Sequence, residues 1–344
     1  MAAGVLGAEP LDWRLVDVAL LGADATSPGF TRVTDVAFGA HGDVLVLDGA
    51  APEVVLFDVT SGELTRRFGR RGQGPGEFDG PSLIDVAPNG EVFVFDSRAD
   101  NRISRFAGDG GFIDSSSAPF ASMSGATRNM GAAQAGTFLL RVPSRVAFAE
   151  RTALRHPRLL LLEAGAREPH SVFEWPDLVV EPVDLGNPGA GITMYENPQP
   201  LWALLPGGRH AVGRRDRYEI DILDAQGAVL GALRRDIDPQ RVTDELKERF
   251  LAQLPAGLRD REVEWGEYLP VITNVFPGVA GGVLVMRGRN GSPVIDIFSA
   301  EFEFLAQVDL PKGFLMMAAR DGLIAGKVET AEFEGAVRVM RLER

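Results

Sequence analysis

The stretches Asp43-Val44-Leu45-Val46-Leu47-Asp48 and Glu91-Val92-Phe93-Val94-Phe95-Asp96 decide the fold. Each is a short run of β-forming residues that ends in Asp, and each follows a tight turn anchored by Gly42 or Gly90. The same turn-and-run recurs in weaker form after Gly136, Gly208, Gly282 and Gly322. Self-similarity at intervals of tens of residues marks a repeat architecture.

Working outward from each run, the pattern supplies three more strands. Behind it comes a second run, such as Glu53–Asp58 or Arg102–Phe106, then a Gly-containing turn and a third, such as Glu63–Phe68. Ahead of it lies an inner strand, Arg32–Phe38 in the first unit and Leu83–Ala87 in the second. Four strands per unit is the makeup of a propeller blade. Six Gly turns therefore predict an all-β, six-bladed propeller. The last unit reaches Arg344 with three strands, and Trp13–Leu20 is a spare that completes it and closes the ring. Residues 1–8 read as a flexible leader or the remnant of an export signal, and 9–344 as a single propeller.

Two intervals between Gly turns are long and carry insertions. One, at about 239–267, contains a helix that Thr243 caps and that carries a stripe of Leu246, Phe250, Leu251 and Leu254. Pro255 and Gly257 end it, and Arg259 to Glu264 reads as charged and exposed. The other, Pro169 to Pro200, is rich in Pro and Gly and reads as a long loop.

Composition limits the function. The 344 residues carry a net charge of −13, which disfavours nucleic acid and anionic membrane as partners. There is no run of about 18 apolar residues, so no membrane span is expected. Without cysteine there are no disulfides, thiolate metal sites or Cys nucleophile. The four histidines form no metal-binding or nucleophile-elbow pattern, and His210, inside a strand, reads as a packing residue.

The segment Phe68-Gly69-Arg70-Arg71-Gly72-Gln73-Gly74-Pro75-Gly76-Glu77-Phe78 lacks the Lys-Ser/Thr ending of a phosphate loop and leads into no helix. It resembles the linker between blades in NHL-repeat propellers. The likeness continues through Gly90 to Ser97 and Asn101-Arg102-Ile103, and covers roughly residues 31–113. Units three to six have lost most of it. The resemblance implies a bacterial six-bladed propeller of the NHL-like type, exported to the periplasm or cell envelope.

Two residue sets are candidate sites. Polar residues on four inner strands, Asp35, Asp85, Asn129 and Asn274, form an oxygen set suited to Ca²⁺ or another divalent cation in the central channel. The competing reading has them hydrogen-bonding backbone and channel water. Basic residues past the Gly turns, Arg98, Arg141, Arg214, Arg215, Arg287, Arg289 and Lys327, joined by Arg70 and Arg71 of the Gly-rich linker, form a cationic rim for an anionic ligand. Against this stands local pairing, such as Asp96 with Arg102 or Asp216 with Arg217. The preferred function is a monomeric, non-catalytic binding or scaffold module that recognises a small anionic ligand or a partner protein at one face. The alternatives are a divalent-metal hydrolase or lactonase, and an envelope module that binds peptide or glycan.

Overall fold

The computed structural model describes residues 12–23, 29–40, 42–99, 101–117, 130–134, 137–142, 157–163, 170–176, 178, 192–194, 199–254, 263–288, 293–328 and 335–344. Strand β1 (Arg14–Leu21) comes first. Strands β2 (Val33–Phe38), β3 (Asp43–Asp48), β4 (Glu53–Asp58) and β5 (Leu64–Phe68) then form a sheet in sequence order. The plan repeats in β6 (Pro81–Val86), β7 (Val92–Asp96), β8 (Arg102–Phe106) and β9 (Phe112–Ser117). It repeats again in β10 (Met130–Gln134), β11 (Thr137–Val142), β12 (Arg158–Glu163) and β13 (His170–Glu174). After β14 (Ile192–Met194) come β15 (Pro200–Leu205), β16 (Arg209–Arg214), β17 (Glu219–Leu223) and β18 (Val229–Arg234). Helix α1 (Asp244–Gln253) and β19 (Val263–Trp265) precede β20 (Asn274–Pro277), β21 (Val283–Arg287), β22 (Val294–Phe298) and β23 (Phe304–Asp309). The last strands, β24 (Phe314–Arg320), β25 (Leu323–Val328) and β26 (Ala336–Glu343), share a sheet with β1 in the order β1-β26-β25-β24.

The protein is an all-β propeller with one short α-helix among the described residues. The expectation of six equivalent units needs correction: five blades are each cut from one continuous stretch of chain. The remaining four-stranded sheet is composite, because β24 to β26 supply three strands and β1 pairs with β26 from Arg14↔Glu343 to Leu21↔Val337. The first strands of the sheets are neighbours in turn, β2 beside β6 and β24, β10 beside β6 and β15, and β20 beside β15 and β24.

Packing explains why the second strand of a blade is apolar throughout. Val44 and Val46 enter one core with Val337 and Val339 of β26, while Leu45 and Leu47 enter another with Val92 and Val94 of β7. A strand buried on both faces has no side for polar residues. Each such side chain contributes about 1.5–3 kcal/mol by leaving water. In the linker from β5 to β6, Phe78 is fully buried and meets Phe106 edge-on at 5.7 Å. The Gly-rich stretch is thus a blade-to-blade connection, bent by the positive φ of Gly69 and Gly76.

The Asp that ends β3 or β7 ties the next loop to the inner strand. Asp48 accepts from the backbone N–H groups of Thr31, Arg32, Ala50 and Ala51, at 2.6 to 3.1 Å. Asp96 accepts in the same way from Asp79, Gly80, Arg98 and Ala99, at 2.7 to 3.2 Å. In the fifth blade this position holds Arg287, only 6% exposed. Its guanidinium donates to Asp296 of β22 through Nε at 2.8 Å and Nη2 at 3.0 Å. Tyr218 donates its hydroxyl to Asp296 at 2.8 Å, and Arg235 Nη1 lies 2.8 Å from the same oxygen, so the pair bridges the fourth and fifth blades. Burial, then the Asp296 charge, pushes the Tyr218 phenol far above its ordinary pKa.

Two insertion readings need correction. The stretch from Pro169 to Pro200 is not all loop: β13 is the outer strand of the third blade, and β14 pairs in parallel with β19. Thr243 does cap α1, accepting from the Leu246 N–H, and Phe250 meets Trp265 edge-on, but Leu251 is exposed rather than part of the buried stripe. Pro255, Gly257 and residues 259–262 lie outside the described residues, as does the leader 1–8.

Replacing Asp296 with Ala is expected to cost about 3–5 kcal/mol, because it strands the Arg287 charge inside the protein. Urea unfolding measures this, and an unchanged midpoint would show that the lock contributes nothing.

Candidate functional site: the central cavity

The inner strands meet around a cavity of about 560 Å³. Asp35, Asp85 and Asn274 all line it, so three of the four proposed channel ligands come together, while Asn129 lies outside the described residues. The two carboxylates have a structural task. Asp35 accepts from its neighbour Val36 N–H at 2.9 Å and, across the blade junction, from Ile84 N–H at 2.9 Å. Asp85 repeats this one blade further on, with Val86 and Ala132, both at 3.0 Å. Each carboxylate thus staples its own inner strand to the next.

Ca²⁺ takes six to eight oxygens. The described residues offer two carboxylates already holding backbone N–H groups and one amide. Among the described residues no group of three or more His, Asp or Glu is arranged to hold a metal. The described part of the proposed donor set therefore supplies fewer oxygens than such an ion takes.

What remains of the wall is mainly apolar: Phe38, Trp202, Phe276, Leu315, Met316 and Met317, with hydroxyls from Thr34 and Ser82. Trp202 is buried, its ring lies over Gly131, and its indole N–H has no acceptor among the described residues. At the Gly-turn end, Arg320 donates through Nη1 to the carbonyls of Phe38 and Gly39, both at 3.1 Å, beside Asp321. The sequence pattern did not single out Trp202 or Arg320. The signal available was Arg320 at the end of an inner strand, immediately before the Asp321-Gly322 turn.

The arginines do not form one converging rim among the described residues. Arg70 pairs with Glu77 at 2.8 Å, and Arg214 grips Asp216 with two bonds at 3.0 and 2.6 Å. Asp216 thus pairs with Arg214, and Arg217 pairs with Glu219 at 3.4 Å. Arg102 pairs with Asp96 at 3.9 Å, as expected, and also donates to the carbonyls of Gln73 and Glu77. Arg287 is withdrawn into the lock with Asp296, which corrects its assignment to the rim. Arg215 is also internal, donating to the Thr273 carbonyl, and burial brings its pKa down to about 10. Lys327 is half-buried. The backbone of Arg141 lies in β11, its side chain is outside the described set, and so is Arg289. Arg71 and Arg98 remain, both exposed and both at the junction of the first two blades.

No protein-family model and no curated protein sequence matches the chain. Solved structures do match in fold. A Bacteroides fragilis protein whose export has been inferred aligns over 96% of both chains, with 11% identity and a TM-score of 0.58. A member of the duf4221 family from Bacteroides vulgatus aligns over 97% of this chain and 99% of its own, with 12% identity and a TM-score of 0.58. A gluconolactonase from Xanthomonas campestris aligns over 97% and 91%, at 11% identity and a TM-score of 0.48, too remote to bear on chemistry. At these identities the likeness is one of fold alone. No helix among the described residues is long and apolar enough to cross a membrane.

His210 in β16 is buried, as a packing residue should be, and its Nδ1 has no partner among the described residues. Burial lowers its pKa from the ordinary 6.5, against the opposing pull of Asp224. The folded state thus binds this proton less readily than the unfolded chain. His210 contributes stability above about pH 6.5, and that contribution is lost as pH falls through the lowered folded value. The thermal midpoint is expected to drop on acidification through that window, and less so in a His210→Gln variant. Equal slopes for the two proteins would refute this.

Proposed function

We propose that this chain is a non-catalytic binding propeller that takes a small ligand in its central cavity. The supporting observation is the state of Asp35 and Asp85: both are held as backbone acceptors, which leaves a mainly apolar wall with hydroxyl and amide groups and with Arg320 and Asp321 at its Gly-turn end. A cavity of about 560 Å³ lies within the range of small-molecule sites. Such a wall favours an uncharged, mainly apolar ligand body.

The proposal includes closure as six blades, with the composite sheet as the sixth wedge. In its favour are the pairing of β1 with β26 and the sequence of neighbouring inner strands from β2 round to β24. An NHL-type origin accounts for the Asp-terminated second strands of the first two blades. Export, as that resemblance implies, and a monomeric state belong to the same reading.

Two experiments test it. Octan-1-ol should raise the thermal midpoint of the protein but not of Ala203→Trp, which fills the cavity, and EDTA should leave the shift intact. Stoichiometric divalent metal that is lost on Asp85→Ala, together with lactone hydrolysis, would favour the hydrolase instead. For closure, deleting residues 1–22 should cost far more stability than loss of a tail. An unaltered heat-denaturation curve would refute it.

A further inference from the structure

We infer that Arg32, Arg71 and Arg98 form an oxyanion site at the edge of the cavity, between the first two blades. The ligand would then be amphipathic, with a carboxylate or phosphate head on the arginines and an apolar body in the cavity. This inference rests on the reading of the cavity as the ligand site.

The site is built by Asp48. By accepting from Thr31, Arg32, Ala50 and Ala51, its buried carboxylate folds the loop after β3 back over the start of β2. That fixes two successive carbonyls. Arg32 donates to the Gly49 carbonyl through Nη2 at 3.0 Å, and Arg71 to the Ala50 carbonyl through Nη2 at 2.8 Å. Two guanidiniums from different segments are therefore anchored one peptide apart, and each keeps Nε–H and Nη1–H groups to donate.

Arg98 joins them from the second blade. Its stem lies across Gly80, so close that a Cβ there would sit 2.6 Å from Arg98 Cδ. Gly80 leads into Pro81, whose carbonyl oxygen is 3.3 Å from where a Cβ on Gly49 would be. That same point is 3.0 Å from Arg32 Nη2 and only 2.2 Å from Thr34 Oγ1. Thr34 lines the cavity and its hydroxyl shares that point with Arg32 Nη2, so the arginine group begins just outside the cavity wall, next to Thr34.

All three side chains are exposed, and none is paired with a carboxylate of a described residue. Elsewhere Arg70, Arg105, Arg214, Arg234 and Arg338 each have an acidic partner. Three neighbouring like charges repel one another, and an oxyanion that accepts from several of them relieves that repulsion. In a chain of net charge −13, such a patch also draws an anion to one side of the disc.

The test is isothermal titration of the full chain with octanoate, octyl phosphate, octan-1-ol and inorganic phosphate. At least one octyl anion should bind about tenfold or more tightly than octan-1-ol, and added salt should erode that advantage. The two anions distinguish a carboxylate head from a phosphate head. An Arg71→Gln, Arg98→Gln double variant should keep its thermal midpoint and its affinity for octan-1-ol while losing the preference for anions. If octan-1-ol binds and the anions gain nothing, or if their gain survives in the double variant, the arginine site falls and the cavity reading stands. If inorganic phosphate binds through these arginines while no octyl probe binds, the arginine site stands and the cavity reading falls.

Discussion

Every blade has two apolar faces and no means of covering either by itself. Val44 and Val46 look one way and Leu45 and Leu47 the other, so the first blade needs a neighbour on each side. The same holds for the fifth, where Leu284 and Ile295 enter one core and Val283 and Val285 another. No wedge is stable alone, and stability is set by nearest-neighbour interfaces. The N-terminal strand is drawn into this logic. Leu21 packs in the core shared by β2 and β26, and Leu15 packs against the one beyond it.

The strands and their order were legible because their signals are local. Gly turns with positive φ at Gly42, Gly90, Gly208 and Gly322 punctuate β-branched and aromatic runs, and these fix element type without tertiary information. The carboxylates of Asp35 and Asp85 were legible as cavity residues but not as staples. Their partners, Ile84 and Ala132, are backbone groups 49 and 47 residues away, and nothing in a side-chain pattern marks an N–H as an acceptor's target. Arg287 was misread for a related reason. Spacing from the Gly turn put it in an exposed loop, yet it is the last residue of β21, equivalent to the buried Asp48 and Asp96.

Acidic composition also takes on a physical meaning. Several carboxylates in the first two blades have structural tasks. Asp48 and Asp96 are buried and held by N–H groups, and Asp58 and Asp109 cap turns.

The junction of the fourth and fifth blades shows how the fold persists after its signature is gone. Two features of the motif are replaced there together. The loop-tying Asp becomes Arg287, and the glycine of the third-to-fourth-strand turn becomes Phe302. Phe302 keeps a left-handed φ, 72°, as Gly62, Gly110 and Gly227 do at the same place with 72°, 81° and 87°. That conformation costs a bulky residue on the order of 1 kcal/mol or more. The neighbouring blade supplies the compensation. The Phe302 ring fits against β18 only because Gly231 has no Cβ, which would lie 2.4 Å from Phe302 Cδ2. Arg235, from the same blade as Gly231, stacks 4.0 Å from the Phe304 ring centre and reaches Asp296. The ties of this turn thus run partly between two blades, through Gly231, Tyr218 and Arg235 of the fourth. A repeat motif records only what recurs within one unit, which is why units three to six retain the sheet geometry while their sequences stop announcing it.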